Sequence, residues 1–332
     1  MNRTKWLGRT LAVRLVDFNK IYVVHEAVGR VVAHIKRELI LCEAKGRASG
    51  ILVIGASGAG KTSLIAYIKR IYPDQVSPTL TCRPVVSFSI PAMPSPNSMG
   101  AALLGALGDP LPTKGNALEK MNRAAILLNT VGTKIVAIDN FQDVPTRRKA
   151  RGVEQIASWL RDLCDLPFPG VVMAFGTKDA AAVRDAHKEL LRRMQARLEL
   201  PLFALDTPKQ AAAFKRLLNL IDESLPLAEQ SGLSSRALAA RLYRATNGNL
   251  DYLIKLLEKA LVCAVARGAE RIEMGDLEAA FLQQHQVAAE GGNPFSEDYD
   301  GKELREPGQI FGPSMVPKSD RFGLTQGQKA GK

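Results

Sequence analysis

Short, unbroken apolar runs separated by longer stretches of helical spacing set the first expectation for this chain. Ile51-Leu52-Val53-Ile54, Pro84 to Ile90, Ile135-Val136-Ala137-Ile138, Val171 to Phe175 and Leu200 to Leu205 are rich in β-branched or aromatic residues and too short for buried helices. Each predicts a strand covered on both faces, and their alternation with helices predicts an α/β fold with a five-stranded parallel sheet sandwiched by helices. Ahead of the sheet, a helical pattern runs from Leu11 to Glu43. Behind it only helical periodicity remains. Thr207-Pro208 opens a helix through Ile221, Ser234 caps a second that ends at Asn247-Gly248, a third runs from Leu250 to Arg267, and Asp276 starts a fourth through Phe281. Beyond Gly291-Gly292 the chain turns polar and rich in Gly and Pro, with Phe295, Tyr299, Phe311 and Phe322 scattered along it. The expected organisation is a basic helical segment (1–48), an αβα core (49–205), a small all-α lid (206–286) and a flexible, mostly disordered tail (287–332) whose aromatic residues could dock a partner.

The chemistry sits at the end of the first strand. Gly55-Ala56-Ser57-Gly58-Ala59-Gly60-Lys61-Thr62 has the spacing G-x-x-x-x-G-K-T, in which small residues turn the backbone so that successive N–H groups face one anion at a helix N-terminus. With Ser63, these residues form the expected cradle for ATP. Lys61 would reach the β- and γ-phosphates and Thr62 would hold Mg²⁺. Such a loop needs an acid at the end of a neighbouring strand, and Asp139 directly follows Ile135 to Ile138, which makes it a second ligand for the metal's shell. The next residue is Asn140. An amide can orient water but cannot take its proton at neutral pH, so hydrolysis is expected to be slow. Asp143 is the nearest other acid, and it reads equally well as a helix N-cap. Thr177, after the strand Val171 to Phe175, is a candidate sensor of the γ-phosphate or a simple turn residue. In Leu190 to Arg197, an Arg could project from one subunit into the site of the next. Arg197 is the first choice and Arg193 the second.

Composition narrows the field. The formal net charge of +12 over 332 residues favours a polyanionic partner. Residues 287–332 carry six Lys/Arg against seven Asp/Glu, so the excess lies on the part expected to fold. Arg3, Lys5, Arg9 and Arg14 cluster early, and Thr146 to Arg151 forms a basic turn. No apolar run approaches the ~20 residues that cross a bilayer and no signal-like segment opens the chain, so a soluble, intracellular protein is expected. Cys42, Cys82, Cys164 and Cys263 show no C-x-x-C spacing, which argues for buried reduced thiols rather than zinc or disulfides.

Taken together, these residues resemble the AAA+ ATPases of DNA transposition, the TniB/TnsC group, over roughly residues 3–286. The resemblance rests on Lys5-Trp6-Leu7-Gly8-Arg9, the phosphate loop, Ser89-Ile90-Pro91, Thr113-Lys114-Gly115, Ile138-Asp139, Phe175-Gly176-Thr177, the Arg197 region and the helix after Gly248. Asn293-Pro294-Phe295 also looks like the start of the tail found in some members. The resemblance implies an ATP-binding protein of the bacterial cytoplasm, encoded by a mobile element, that oligomerises into a ring or helical filament on double-stranded DNA. It would link a TniQ/TnsD-like target-selection protein to the transposase, and no membrane is implied. It also implies that Asn97, Thr113, Lys114 and Asn116 track the DNA backbone, contacts that need no sequence reading. Asn140 departs from the family's usual Asp-Glu pair. Three rivals remain at this point: an initiator or loader ATPase that places a helicase or clamp on DNA, a small-molecule kinase, and a purely structural DNA-binding protein.

Overall fold

The computed structural model describes residues 3–77, 81–285, 292–305 and 310–312. The chain forms two compact units, Val24–Leu202 on the one hand and Met1–Val23 with Phe203–Lys332 on the other. In chain order, a 3-10 turn at Arg3–Trp6 and α1 (Leu11–Phe18) precede α2 (Glu26–Lys45), β1 (Ser49–Gly55) and α3 (Lys61–Ile71). A small antiparallel pair, β2 (Gln75–Val76) and β3 (Thr81–Cys82), leads to β4 (Val85–Ser89), α4 (Pro96–Leu107), α5 (Ala117–Thr130) and β5 (Ile135–Asp139). Then come α6 (Asp143–Arg147), α7 (Ala150–Asp165), β6 (Val171–Gly176), α8 (Lys178–Ala186), α9 (Lys188–Arg193) and β7 (Ala196–Leu200). The last helices are α10 (Pro208–Ser224), α11 (Arg236–Thr246), α12 (Leu250–Ala266) and α13 (Met274–Gln284).

The Val24–Leu202 unit is built on a five-stranded parallel sheet in the order β4-β5-β6-β1-β7. Its inner strands are apolar because both faces are covered: Ile51, Leu52, Val53, Ile135 to Ile138 and Val171 to Phe175 are wholly buried. Ligands of open parallel sheets bind beyond the carboxyl ends of the strands, and Gly55, Asp139 and Gly176 all stand at such ends.

The α/β class and the five-stranded parallel sheet agree with the sequence reading, but the last strand does not lie at Leu200 to Leu205. It is Ala196–Leu200, with Arg197 and Glu199 exposed between covered neighbours. An edge strand alternates rather than reading as an apolar run, and Pro201 has no N–H with which to continue the ladder. The helical pattern of Leu11 to Glu43 is likewise two helices, broken between Asn19 and His25.

The second unit packs α10 to α13 around Phe214, Leu218, Leu242, Leu257 and Phe281. Its helices begin where the sequence supplies caps: Thr207 and Gln210 form a reciprocal capping box on α10, and Asn249 accepts from the N–H groups of Asp251 and Tyr252. The early basic cluster belongs here. Arg14 is buried and makes a bidentate pair with Glu270, at 2.7 and 2.8 Å, while also donating to the carbonyls of Trp6, Arg9 and Pro226. Arg3 donates to the Asp222 carbonyl. Phe18 joins the same core. These arginines are spent on the fold and do not form a solvated patch.

Within the expected tail, the described residues 292–305 and 310–312 pack on the helices. Phe295 is 1% exposed and stacks edge to face on Phe281, and Leu304 is 3% exposed. Arg241 donates to the carbonyls of Pro294 and Ser296, and Tyr252 meets Phe311. Burial of each such apolar side chain contributes roughly 2–3 kcal/mol toward the cost of ordering the segment. Phe295 is a core residue of this unit and Phe311 packs, partly buried, against that core. Phe322 lies outside the described residues.

Candidate functional site

The phosphate loop takes its shape from two glycines. Gly58 and Gly60 have φ of +75° and +87°, a region open to Gly at no steric cost, and Gly60 is the N-cap residue of α3. Gly55 must also be Gly, because a Cβ there would stand 2.6 Å from the Leu200 carbonyl of β7. The loop is pinned by the Ala59 N–H on the Ala56 carbonyl and the Leu64 N–H on the Gly60 carbonyl. Ala56, Ser57, Thr62 and Ser63 are exposed, whereas Ala59 and Lys61 are buried.

Lys61 extends into the loop. Its Nζ donates to the Gly55 and Ala56 carbonyls, both at 2.8 Å. Burial pushes the Lys61 ammonium down from its ordinary range, and the Asp139 carboxylate opposes that shift. Thr62 Oγ1 donates to Asp139 Oδ2 at 2.7 Å, so the loop and the end of β5 meet although β6 separates their strands in the sheet. The other carboxylate oxygen accepts from the Asn140 N–H at 2.8 Å. Asp139 is 7% exposed and its two oxygens are thereby oriented.

Asn140 has φ of +60°, a conformation Asn tolerates better than most residues. Its side-chain oxygen accepts from Gln142 Nε2 at 3.2 Å, which leaves its NH₂ as the outward group. Asp143 is the first residue of α6, with Gln142 in the cap position, and its carboxylate pairs with Arg147 at 2.5 Å. Thr177 caps α8 by position, but its hydroxyl donates to Asp179 at 3.1 Å and accepts no helix N–H. The Phe141 N–H bonds the Phe175 carbonyl at 2.8 Å, which ties the ends of β5 and β6 together.

Arg197 and Arg193 are not brought to the loop of their own chain. Arg197 lies mid-strand on exposed β7, opposite Leu52, and its guanidinium bonds Glu199 at 3.2 Å. Arg193 pairs with Asp165 at the end of α7. The basic turn after β5 is a brace: Arg147 donates to the Pro91 carbonyl and Arg148 to that of Pro94.

Asn97 and the loop that carries Thr113, Lys114 and Asn116 are joined by Lys120, a residue that sequence reasoning passed over. Asn97 is in the first turn of α4 and Asn116 caps α5, its oxygen accepting from the Glu119 N–H while Glu119 accepts from the Asn116 N–H. Lys120, 1% exposed, runs beneath both segments and donates from Nζ to Asn97 Oδ1 at 2.6 Å and to the Gly115 carbonyl at 2.8 Å. The only signal in the sequence was a Lys at a position where the α5 pattern faces α4. Among the described residues, no cluster of His, Cys, Asp and Glu could hold a metal by itself, no helix is long and apolar enough to cross a membrane, and the four cysteines are free.

A family model for the bacterial TniB protein matches residues 18–204. No curated protein matches the chain. Among solved structures, the Aeropyrum pernix ORC2 protein in its ADPNP–ADP complexes is similar at a TM-score of 0.55 and 14% identity, over 81% of this chain and 69% of that one. The ORC1 protein of the same organism in complex with DNA gives 0.54 and 17%, over 86% and 71%. Cdc6p from Pyrobaculum aerophilum gives 0.53 and 15%, over 80% and 69%. At such identities the likeness shows the fold, which is that of AAA+ ATPases.

Proposed function

The chain belongs to the TniB family and has the AAA+ fold, and from that premise we propose that it is an ATP-dependent, sequence-nonspecific DNA-binding regulator of transposition. The observation that carries the reading is the union of phosphate loop and acid: Lys61 lodged inside the loop and Thr62 bonded to Asp139. Backbone N–H groups and Lys61 would hold the phosphates of ATP. The hard oxygen donors of Thr62 and Asp139 fit Mg²⁺, which when bound would neutralise charge on the β- and γ-phosphates.

Binding is favoured over turnover by the residues around that centre. Asn140 presents N–H donors, so it can orient a water but not deprotonate it, and the Asp143 carboxylate is held by Arg147. A site that retains ATP suits a protein for which nucleotide acts as a joint between protomers. Arg197, exposed on the sheet edge and paired only along its own strand with exposed Glu199, would serve the site of a neighbouring copy, with Arg193 as the alternative. Asn97, Thr113, Lys114 and Asn116 would follow DNA phosphates along the inner face of a ring or filament. Its outer face would join a TniQ/TnsD-like selector to the transposase. The DNA-bound ORC1 neighbour supports an association with duplex DNA, and the initiator or loader reading is kept as the alternative on the same likeness.

The test is size-exclusion chromatography and negative-stain imaging of the protein with ATP, Mg²⁺ and duplex DNA. Rings or filaments that need all three are expected. A protein that stays monomeric with all three present would end the proposal. DNA-independent assembly that loads a second ring onto DNA would favour the loader.

A further inference from the structure

We propose that Gln142 is a positioning residue of the nucleotide site: it turns the Asn140 carboxamide so that its NH₂ donates to the γ-phosphate, and thereby sets the preference for ATP over ADP. The inference rests on the ATP-binding reading of the phosphate loop. Polarity at the start of α6 is fixed from one end. The Asp143 carboxylate, held by Arg147, can only accept. Gln142 therefore turns its nitrogen toward it. Nε2 donates to Asp143 Oδ1 at 3.4 Å and to Asn140 Oδ1 at 3.2 Å, which commits both of its hydrogens. Asn140 is left with its oxygen taken and its NH₂ without an acceptor among the described residues. The orientation has a visible cost, since Gln142 Oε1 is buried with no hydrogen-bond partner.

The fold draws this amide pair toward the phosphate loop. In the sheet, β6 lies between β5 and β1, and Thr62 of the loop reaches Asp139 across its end. The φ of +60° at Asn140 turns the chain sharply after Asp139, and the Phe141 N–H on the Phe175 carbonyl holds the turn against β6. Gln142 then packs on Gly176, where a Cβ would stand 3.1 Å from both its N and its Oε1. The backbone N–H groups of the loop serve the inner phosphates, and Lys61 supplies charge to the outer two. Asn140, on the other side of the Thr62–Asp139 bond, is left to the terminal one. Thr177, after β6, has its hydroxyl hydrogen committed to Asp179. ADP lacks the terminal phosphate, so a donor that serves it reads the difference between the two nucleotides.

Displacement of a fluorescent nucleotide from the full chain, by ADP and by a non-hydrolysable ATP analogue with Mg²⁺, tests the assignment. Gln142→Met keeps the length of the side chain and removes its donors. It should lower the preference for the triphosphate over ADP on the order of tenfold, the worth of one hydrogen bond to a charged group, while ADP binds as it does to the wild type. Asn140→Ala should lower the preference by the same factor. Adding Gln142→Met to Asn140→Ala should change nothing further, because Gln142 acts through Asn140; a merely structural role would add its loss in both backgrounds. Additive losses would overturn the inference. So would a wild-type preference in Asn140→Ala, even if Gln142→Met failed to fold. A wild-type chain that binds neither nucleotide would instead overturn the reading on which the inference rests.

Discussion

Three of the four buried cations among the described residues, Arg14 in the second unit and Lys61 and Lys120 in the sheet unit, differ in what faces them. Arg14 is 3% exposed and clasped by both oxygens of Glu270; Lys61 is 9% exposed, bonded to two carbonyls and within the field of Asp139; Lys120 is 1% exposed and has neutral partners alone. A cation matched by a carboxylate is satisfied internally and acts as a clamp. A cation held only by carbonyl-type oxygens keeps most of its field for an anion from outside. The contrast separates Arg14, matched by a carboxylate within its own unit, from the two lysines, whose bonded partners are neutral.

The comparison can be broken most severely at Arg14. Arg14→Met should destabilise the protein by about 3 kcal/mol, because it strands Glu270 and frees three carbonyls, and the partial exposure of Glu270 limits the loss. Denaturant melts should show it, while the ATP affinity of the folded protein stays the same. Lys61→Ala should behave in reverse, with a melting temperature near that of the wild type and ATP affinity, measured by displacement of a fluorescent analogue, lower by about 100-fold. Unchanged affinity would refute the phosphate-loop assignment.

Asn140→Glu sharpens the comparison on the catalytic side. It should raise ATP turnover, followed by phosphate release, by about tenfold or more, because a carboxylate can accept the proton an amide refuses. The φ of +60° at this position should cost about 1 kcal/mol of stability for a side chain less tolerant of it than Asn.

The smallest effect is acid titration of the clamp. The hydrogen bond from Arg14 holds the Glu270 carboxyl below the usual carboxylate range. A depressed folded value means the stabilisation is present above the unfolded pKa and is lost as pH falls through the folded one. Melting temperatures of the wild type and Glu270→Gln should therefore differ at neutral pH and converge as pH drops below about 4.

How readily each cation could be read from the sequence follows the same division. Lys61 stands in a motif whose spacing has one structural meaning, and four of the five strands were marked by apolar runs that only double-sided burial explains. The caps of α10 and α12 were written locally as Thr207-Pro208 and Gly248-Asn249-Leu250. Lys120 could not be read in that way, since a Glu-Lys pair on a helix ordinarily faces water, and the partners that bury it come from a preceding turn and loop. Arg14 looked like one of four early basic residues because Glu270 lies 256 positions away. The edge strand lies four residues before its apolar signal because exposed Arg197 and Glu199 mimic a loop, and Phe295 reads as a free anchor because its neighbours include Gly, Asn and Pro. Local chemistry can be read from a sequence; charge compensation at long range cannot.

The shared membership of Met1–Val23 and Phe203–Lys332 in one unit has a bearing on how the chain is made. Arg14 and Phe18 emerge from the ribosome long before Glu270, Phe214 or Leu257 exist, and the whole parallel sheet is synthesised in the interval. Domains fold largely as they emerge, so the sheet can reach its native form while the early arm still lacks a seat. Arg14 and Phe18 are thus among the last parts of this unit to settle, because their seat waits for α10 to α13 and Glu270.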